Sequence, residues 1–271
     1  MSGAGPRPAD GAPEGAAGSP AGEPAALLAD VCACRAAVYQ ALVLGFREPT
    51  AGYIEALAGG ELVEGLREAV AWLGAEAAAY EPALAGLHSA AAAAAGSERA
   101  EALAGLAVEY ARLFTGPGRP AVMCYATQYL DPDERKPWVL NGAAAAYAAA
   151  AYQAEGVAPV DSPRELPDHV TVELEFLFHL CRREEAAWDA GASDEAARLR
   201  RSQTGFLADH AAPFFRAFAQ AVLAAGPAEL YGALAALLDA HVDVELGGRV
   251  SDGHDPGGPA SPSAGVPGPA S

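Results

Sequence analysis

The segment Pro167-Asp168-His169-Val170-Thr171-Val172-Glu173-Leu174-Glu175-Phe176-Leu177 holds the groups in this chain best placed to do chemistry. An acceptor, a titratable ring and a second acid stand within seven positions. Asp168 sits where a helix N-cap is expected, so its carboxylate can accept from orphan backbone N–H groups. His169 and Glu173 are four apart, which puts them on one helical face with Val172, Phe176 and Leu177. Three arrangements satisfy this pattern. One is a structural pair, His169 donating to Glu173 while Asp168 only caps. Another is a metal site on His169, Glu173 and a carboxylate such as Asp168, although no third ligand is spaced to complete it. The third is a polar patch at the mouth of a groove that receives a peptide.

A second stretch, Glu109-Tyr110-Ala111-Arg112-Leu113-Phe114, runs through Gly116-Pro117-Gly118 into a long irregular segment carrying Cys124, Tyr125 and Tyr129. Aromatic residues at helical spacing usually belong to a core. At the entry to a Pro-rich loop they can instead line a groove for a peptide. The acidic run Asp239, His241, Asp243, Glu245 reads as a solvated helix end. His210, just before Pro213, carries a weaker signal. No G-x-x-x-x-G-K-[ST], G-x-G-x-x-G, H-E-x-x-H or G-x-S-x-G motif occurs, so nothing invites an enzymatic reading or a bound cofactor.

The elements that must position these groups are helical. Alanine fills 69 of 271 positions, and it is the best helix former and a poor strand former. Apolar periodicity predicts helices at 25–46, 51–58 (capped by Thr50), 62–73, 82–95, 97–114, 138–155, 168–190, 193–211, 213–225 and 227–242. The helix at 168–190 is apolar on two faces, which predicts a central position. Loops fall at 115–137 and 157–167. The expectation is an all-α, single-domain bundle of about 8–10 helices over 25–246. The Gly/Ala/Pro/Ser tails at 1–24 and 247–271 are expected to be disordered.

Charge narrows the partners. The chain has 17 basic and 35 acidic residues, a formal −18, of which about −15 falls between the tails. Nucleic acid and anionic membrane surfaces demand the opposite sign. No apolar run reads as a membrane span, the longest being Ala143 to Tyr152, and no export signal is read at the N-terminus. Cys32, Cys34, Cys124 and Cys181 read as reduced, buried thiols of a cytoplasmic protein.

Four features give the chain a family resemblance: Tyr39…Leu44-Gly45-Phe46…Pro49; Glu109-Tyr110…Leu113-Phe114…Gly116-Pro117; Pro167-Asp168-His169…Glu173-Leu174…Phe176; and Phe206-Leu207…His210. In order and spacing they resemble the TorD/DmsD family of cytoplasmic maturation chaperones for molybdenum-containing redox enzymes. The resemblance spans roughly 25–245. It implies a TorD-like helical bundle, monomeric or a domain-swapped homodimer, without catalytic activity. Its partner would be the catalytic subunit of a molybdopterin oxidoreductase, gripped by its twin-arginine signal peptide until the cofactor is inserted. The same resemblance implies a peptide-binding set of Tyr39, Tyr110, Leu113, Phe114, Tyr125, Pro167, Asp168, His169 and Glu173. A related alternative is a chaperone of the nitrate reductase type whose client carries no signal. The loop 119–129 departs from the family pattern in lacking its Glu-Ser pair, so it does not define a client. The physics asks for carboxylates beside open apolar surface, to meet guanidinium groups and an apolar segment together. That reading requires the Asp168 corner to be open.

Overall fold

A computed structural model describes residues 22–116, 120–132, 140–157 and 165–247. Ten helices of two turns or more account for most of them: α1 (Gly22–Phe46), α2 (Ala51–Gly59), α3 (Glu61–Ala71), α4 (Glu81–Ala95), α5 (Arg99–Tyr110), then, after a single turn α6 (Thr127–Leu130), α7 (Ala143–Ala154), α8 (Val170–Asp189), α9 (Ser193–Phe206), α10 (Ala212–Ala224) and α11 (Glu229–Glu245). Among the described residues there is no strand, only an isolated antiparallel bridge between Tyr125 and His169. The all-α single bundle expected from composition and periodicity is the fold. The expected tails lie almost wholly outside the described residues. Only 22–24, which open α1, and Gly247 fall within them.

The long helices α1 and α8 lie along each other, α9 covers α8, and α11 is packed between α4 and α10. Glycine sets two of these approaches. A Cβ on Gly45 of α1 would stand 2.6 Å from Leu234 Cδ1, and one on Gly86 of α4 would stand 2.8 Å from Ala233 Cβ. Both glycines therefore let α11 sit close, at positions where any larger side chain overpacks the core. Phe214, Phe215 and Phe218 on α10 are fully buried, at roughly 1.5–3 kcal/mol of transfer free energy each.

Several boundaries differ from the sequence reading. Thr50 caps α2, its hydroxyl accepting from Tyr53 N at 3.2 Å, as expected. The helix expected at 97–114 is α-helical only to Tyr110 and continues as a wide π turn, Ala111–Thr115. Ser97 does not cap it. Of the helix expected over 138–155, residues 138–139 lie outside the described residues, and α7 starts at Ala143, just after Asn141 takes a left-handed backbone (φ 67°). Asp131 and Thr127 then satisfy its first N–H groups, Ala144 N to Asp131 Oδ2 at 2.7 Å and Gly142 N to Thr127 Oγ1 at 3.2 Å. The break expected before Pro213 is absent. A second π turn, Leu207–Ala211, joins α9 directly to α10, and Pro213 falls in the first turn of α10, where its missing N–H costs nothing.

Helix α1 also amends the membrane reading. Pro24–Phe46 is long and apolar enough to cross a bilayer by length and composition. Here half of that stretch is buried against the rest of the bundle. Its one central cation explains the arrangement. Arg35 is buried and donates to Glu245 Oε1 and Oε2 (2.5 and 2.6 Å), Glu184 Oε2 (3.0 Å) and Gln203 Oε1 (2.6 Å). One guanidinium thereby ties α1 to α8, α9 and α11. The acidic run on α11 is accordingly not a solvated face. His241 is fully buried, 2.8 Å from Tyr80 OH through Nδ1, and Glu245 is buried against Arg35.

Candidate functional site

The loop after α5 brings the expected residues to the start of α8. Residues 122–126 run antiparallel to 168–170, with Val170 N donating to Cys124 O and Ala126 N to Asp168 O, both at 2.8 Å. Val122 N also donates to Leu113 O at 2.9 Å, so the π turn at the end of α5 anchors the same loop. These backbone bonds decide where each side chain goes.

Asp168 is not the cap of α8. Its carboxylate turns away to Thr127, accepting from the backbone N at 3.0 Å and from the hydroxyl at 2.5 Å, and it has no solvent exposure. The cap is His169, whose Nδ1 accepts from Thr171 N at 3.3 Å and lies 2.8 Å from Thr171 Oγ1. Burial holds the His169 pKa below its ordinary value, against the raising effect of Glu165 and Asp168, so the ring is neutral and Nδ1 is free to accept. Because His169 has an extended backbone (φ −74°, ψ 138°), it precedes the helix and does not share a face with Glu173. The expected His169–Glu173 pair is therefore not formed.

Glu173 pairs instead with His210, Nε2 to Oε1 at 2.8 Å, and both are buried. The π turn at Leu207–Ala211 carries His210, which is stacked under Tyr147 with ring centroids 4.8 Å apart. Burial raises the Glu173 pKa to about 7, against the lowering effect of His210. The metal arrangement loses its donor set with that pairing. Among the described residues no three His, Cys, Asp or Glu side chains converge as metal ligands.

The remaining expected residues divide in the same way. Pro167 accepts through its carbonyl from Tyr152 OH at 2.7 Å. Leu113 is fully buried, and Phe114 lies among Phe46, Tyr110, Phe218 and Tyr231 with centroids 5.2–6.3 Å apart. Tyr39 is buried with its ring edge on His241, 4.4 Å away, in the Arg35 neighbourhood rather than at the loop. The corner required to be open is thus mostly sealed. Solvent reaches the half-buried Tyr110 and Tyr125 and the exposed Glu165. Tyr125 OH donates to Glu165 Oε2 at 3.3 Å, and the Tyr125 ring meets the His169 ring edge-on at 5.1 Å. Burial first, then Glu165, pushes the Tyr125 phenol up to about 12, so it stays a neutral donor.

Thr127, Glu165 and His210 are the members that sequence reasoning missed. Only His210 had a legible signal, as the end of the fourth family feature. Asp168 acts on this corner as a positioning group: it holds the loop that presents Tyr125. Asp168→Ala is expected to lower stability by about 1–3 kcal/mol, because two donors of Thr127 lose their acceptor in a buried site. Asp168→Asn, which keeps a carbonyl oxygen toward Thr127, is expected to recover most of that. Denaturant midpoints of the two variants check this, and an alanine variant as stable as the parent contradicts it.

Comparison with known protein families matches residues 74–220 to the nitrate reductase delta subunit family. The chain belongs to this family. The match runs from just after α3 into α10 and covers three of the four features that carried the resemblance, so the redox-enzyme chaperone family read from those motifs holds. This delta-subunit family is one of assembly chaperones for molybdoenzymes, and assisting such an assembly is the function at that level. Comparison with curated proteins and with solved structures returned no match. The family match includes α5, the loop and the α8 start, but not α1, α2, α3 or any of α11.

Proposed function

We propose that this protein is a cytoplasmic chaperone that binds the apo catalytic subunit of a molybdopterin-containing oxidoreductase by its amino-terminal twin-arginine signal, holding the subunit back until the cofactor is in place. The observation that carries this is the site's outer rim in a member of a chaperone family. Tyr110, Tyr125 and Glu165 present two aromatic faces and a carboxylate on a body of strongly negative charge. Aromatic surface suits an apolar segment, a carboxylate suits a guanidinium, and the acidic field speeds their encounter. The guest meets this rim, while Asp168, His169, Pro167 and Glu173 hold it in shape from beneath.

A second reading is favoured by the name of the matched family, which points to nitrate reductase as client. Such a client carries no export signal and would be recognised through its folded body. Co-purification separates the two. Tagged full-length protein is expected to retain the client carrying its first ~30 residues, a length typical of export signals, and to lose it when they are removed. Retention of the truncated client overturns the signal-binding reading and favours recognition of the folded body.

A further inference from the structure

Helix α5 departs from the other long helices in that none of its twelve residues is buried, although it carries Leu103, Leu106, Val108 and Tyr110. Val108 is 71% exposed. Isolated helices of this length are marginal in water, and most helical stability comes from packing an apolar face. Beside α5 runs a groove of about 370 Å³, floored by Leu57 of α2 and Leu230 of α11, with Leu106 of α5 on one wall.

The groove's rim is acidic. Glu101 and Glu109 of α5 and Glu229 of α11 line it together. Arg112 approaches Glu109 at 3.9 Å, but its guanidinium is already donating to the carbonyls of Ala225 and Pro227. Arg99, on the first turn of α5, is paired with Glu55. Among the described residues neither Glu101 nor Glu229 has a basic partner. Burial holds Glu109 above its ordinary pKa, against the lowering effect of Arg112, and Glu229 adds a smaller rise.

We propose that this groove between α2, α4, α5 and α11 is the seat of the client's leader, taking an apolar stretch along Ala102 and Leu106 of α5, over the buried Leu57 and Leu230, and an arginine side chain between Glu109 and Glu229. The proposal rests on the leader-binding reading and places the seat on the side of α5 that leads to Tyr110. The partner chemistry follows from the lining: apolar surface asks for an apolar segment, and Glu109 and Glu229, with only Arg112 at 3.9 Å from Glu109 as a cation beside them, ask for a guanidinium group. Bound this way, the guest adds to the partial packing that Leu106 and Tyr110 already give α5.

Gly105 gives the direct test. It lines the groove, and a Cβ there meets nothing within 4 Å, so a large side chain can enter without clash while improving helix propensity. The probe is a synthetic leader of about 25 residues, two arginines followed by about 12 apolar residues, titrated calorimetrically into full-length protein. Gly105→Trp is expected to weaken binding at least tenfold with the circular dichroism unchanged. The double variant Glu109→Gln/Glu229→Gln is expected to bind the arginine peptide no better than its glutamine counterpart. Equal affinity in the parent and both variants overturns this seat while leaving leader binding intact. No binding of the peptide by the parent protein overturns leader binding itself. A parent dimer that Gly105→Trp converts to a monomer in sedimentation shows that a second copy covers the groove, and also overturns the proposal.

Discussion

Arg35→Met is expected to lower the free energy of unfolding by about 3–5 kcal/mol, the range for breaking a buried ion pair by removing one partner. Arg35, Glu184 and Glu245 have side chains only 4–6% exposed. Without the guanidinium, two carboxylates and Gln203 remain in the interior, with Arg200 at 3.3 Å from Glu245 as the one nearby cation named by the geometry. Burial alone raises the Glu245 pKa. The charge and hydrogen bonds of Arg35 outweigh that, helped by His241 and Arg200, and bring it to about 2. A carboxyl depressed in the fold contributes stability above its unfolded pKa of about 4.5, lost as pH falls toward 2. The arginine variant should therefore forfeit that contribution at neutral pH. Denaturant unfolding at pH 7 measures the loss, and a change below 1 kcal/mol contradicts the account. Replacing Arg35, Glu184 and Glu245 together by apolar residues of similar volume should recover much of it, because the burial penalty then disappears with the charges.

The second large effect is pH-dependent. Glu173 is raised in the fold to about 7 by burial. A raised acid favours the fold fully below its unfolded pKa of about 4.5, and that contribution is lost as pH climbs through about 7. His241 runs the other way: burial lowers it to about 4, so its contribution is present above about 6.5 and lost as pH falls through 4. Between pH 4 and 7 the two oppose each other, and the parent protein should show a shallow stability profile. Glu173→Gln keeps a donor toward His210 and cannot ionise. It is expected to be more stable than the parent by up to about 3 kcal/mol at pH 8, with the difference vanishing near pH 4.5. Thermal unfolding across that range checks it. A variant less stable than the parent at pH 8 would show that the ionised carboxylate is what His210 holds.

How much of this was legible in the residues follows from what each reading relied on. The helices came from alanine content and apolar spacing, both local properties that neighbouring elements reinforce. Thr50 as the cap of α2 is local in the same sense. The π turns at Ala111–Thr115 and Leu207–Ala211 left no such mark, because one extra residue in a turn does not break an apolar stripe. The Asp168–His169–Glu173 group was correctly found as a place where polar side chains meet a central helix. Its pairings were misread, since four-residue spacing places two side chains together only when both residues are already helical. His169 is not.

The sequence alone determined the fold class, the order of the helices, the acidic character and the family, through four motifs whose spacing survives in the bundle. Tertiary structure decided which partner each buried polar group takes. Asp168 went to Thr127, Glu173 to His210, and Arg35 to Glu245, each across at least 37 residues of chain. The reason is physical. Periodicity says which face of a helix is turned inward, but an inward-facing polar atom must find its partner on whichever other element packs against it. Tertiary packing also left α5 only partly covered, through Leu106 and Tyr110, beside an acidic groove that no local pattern announced.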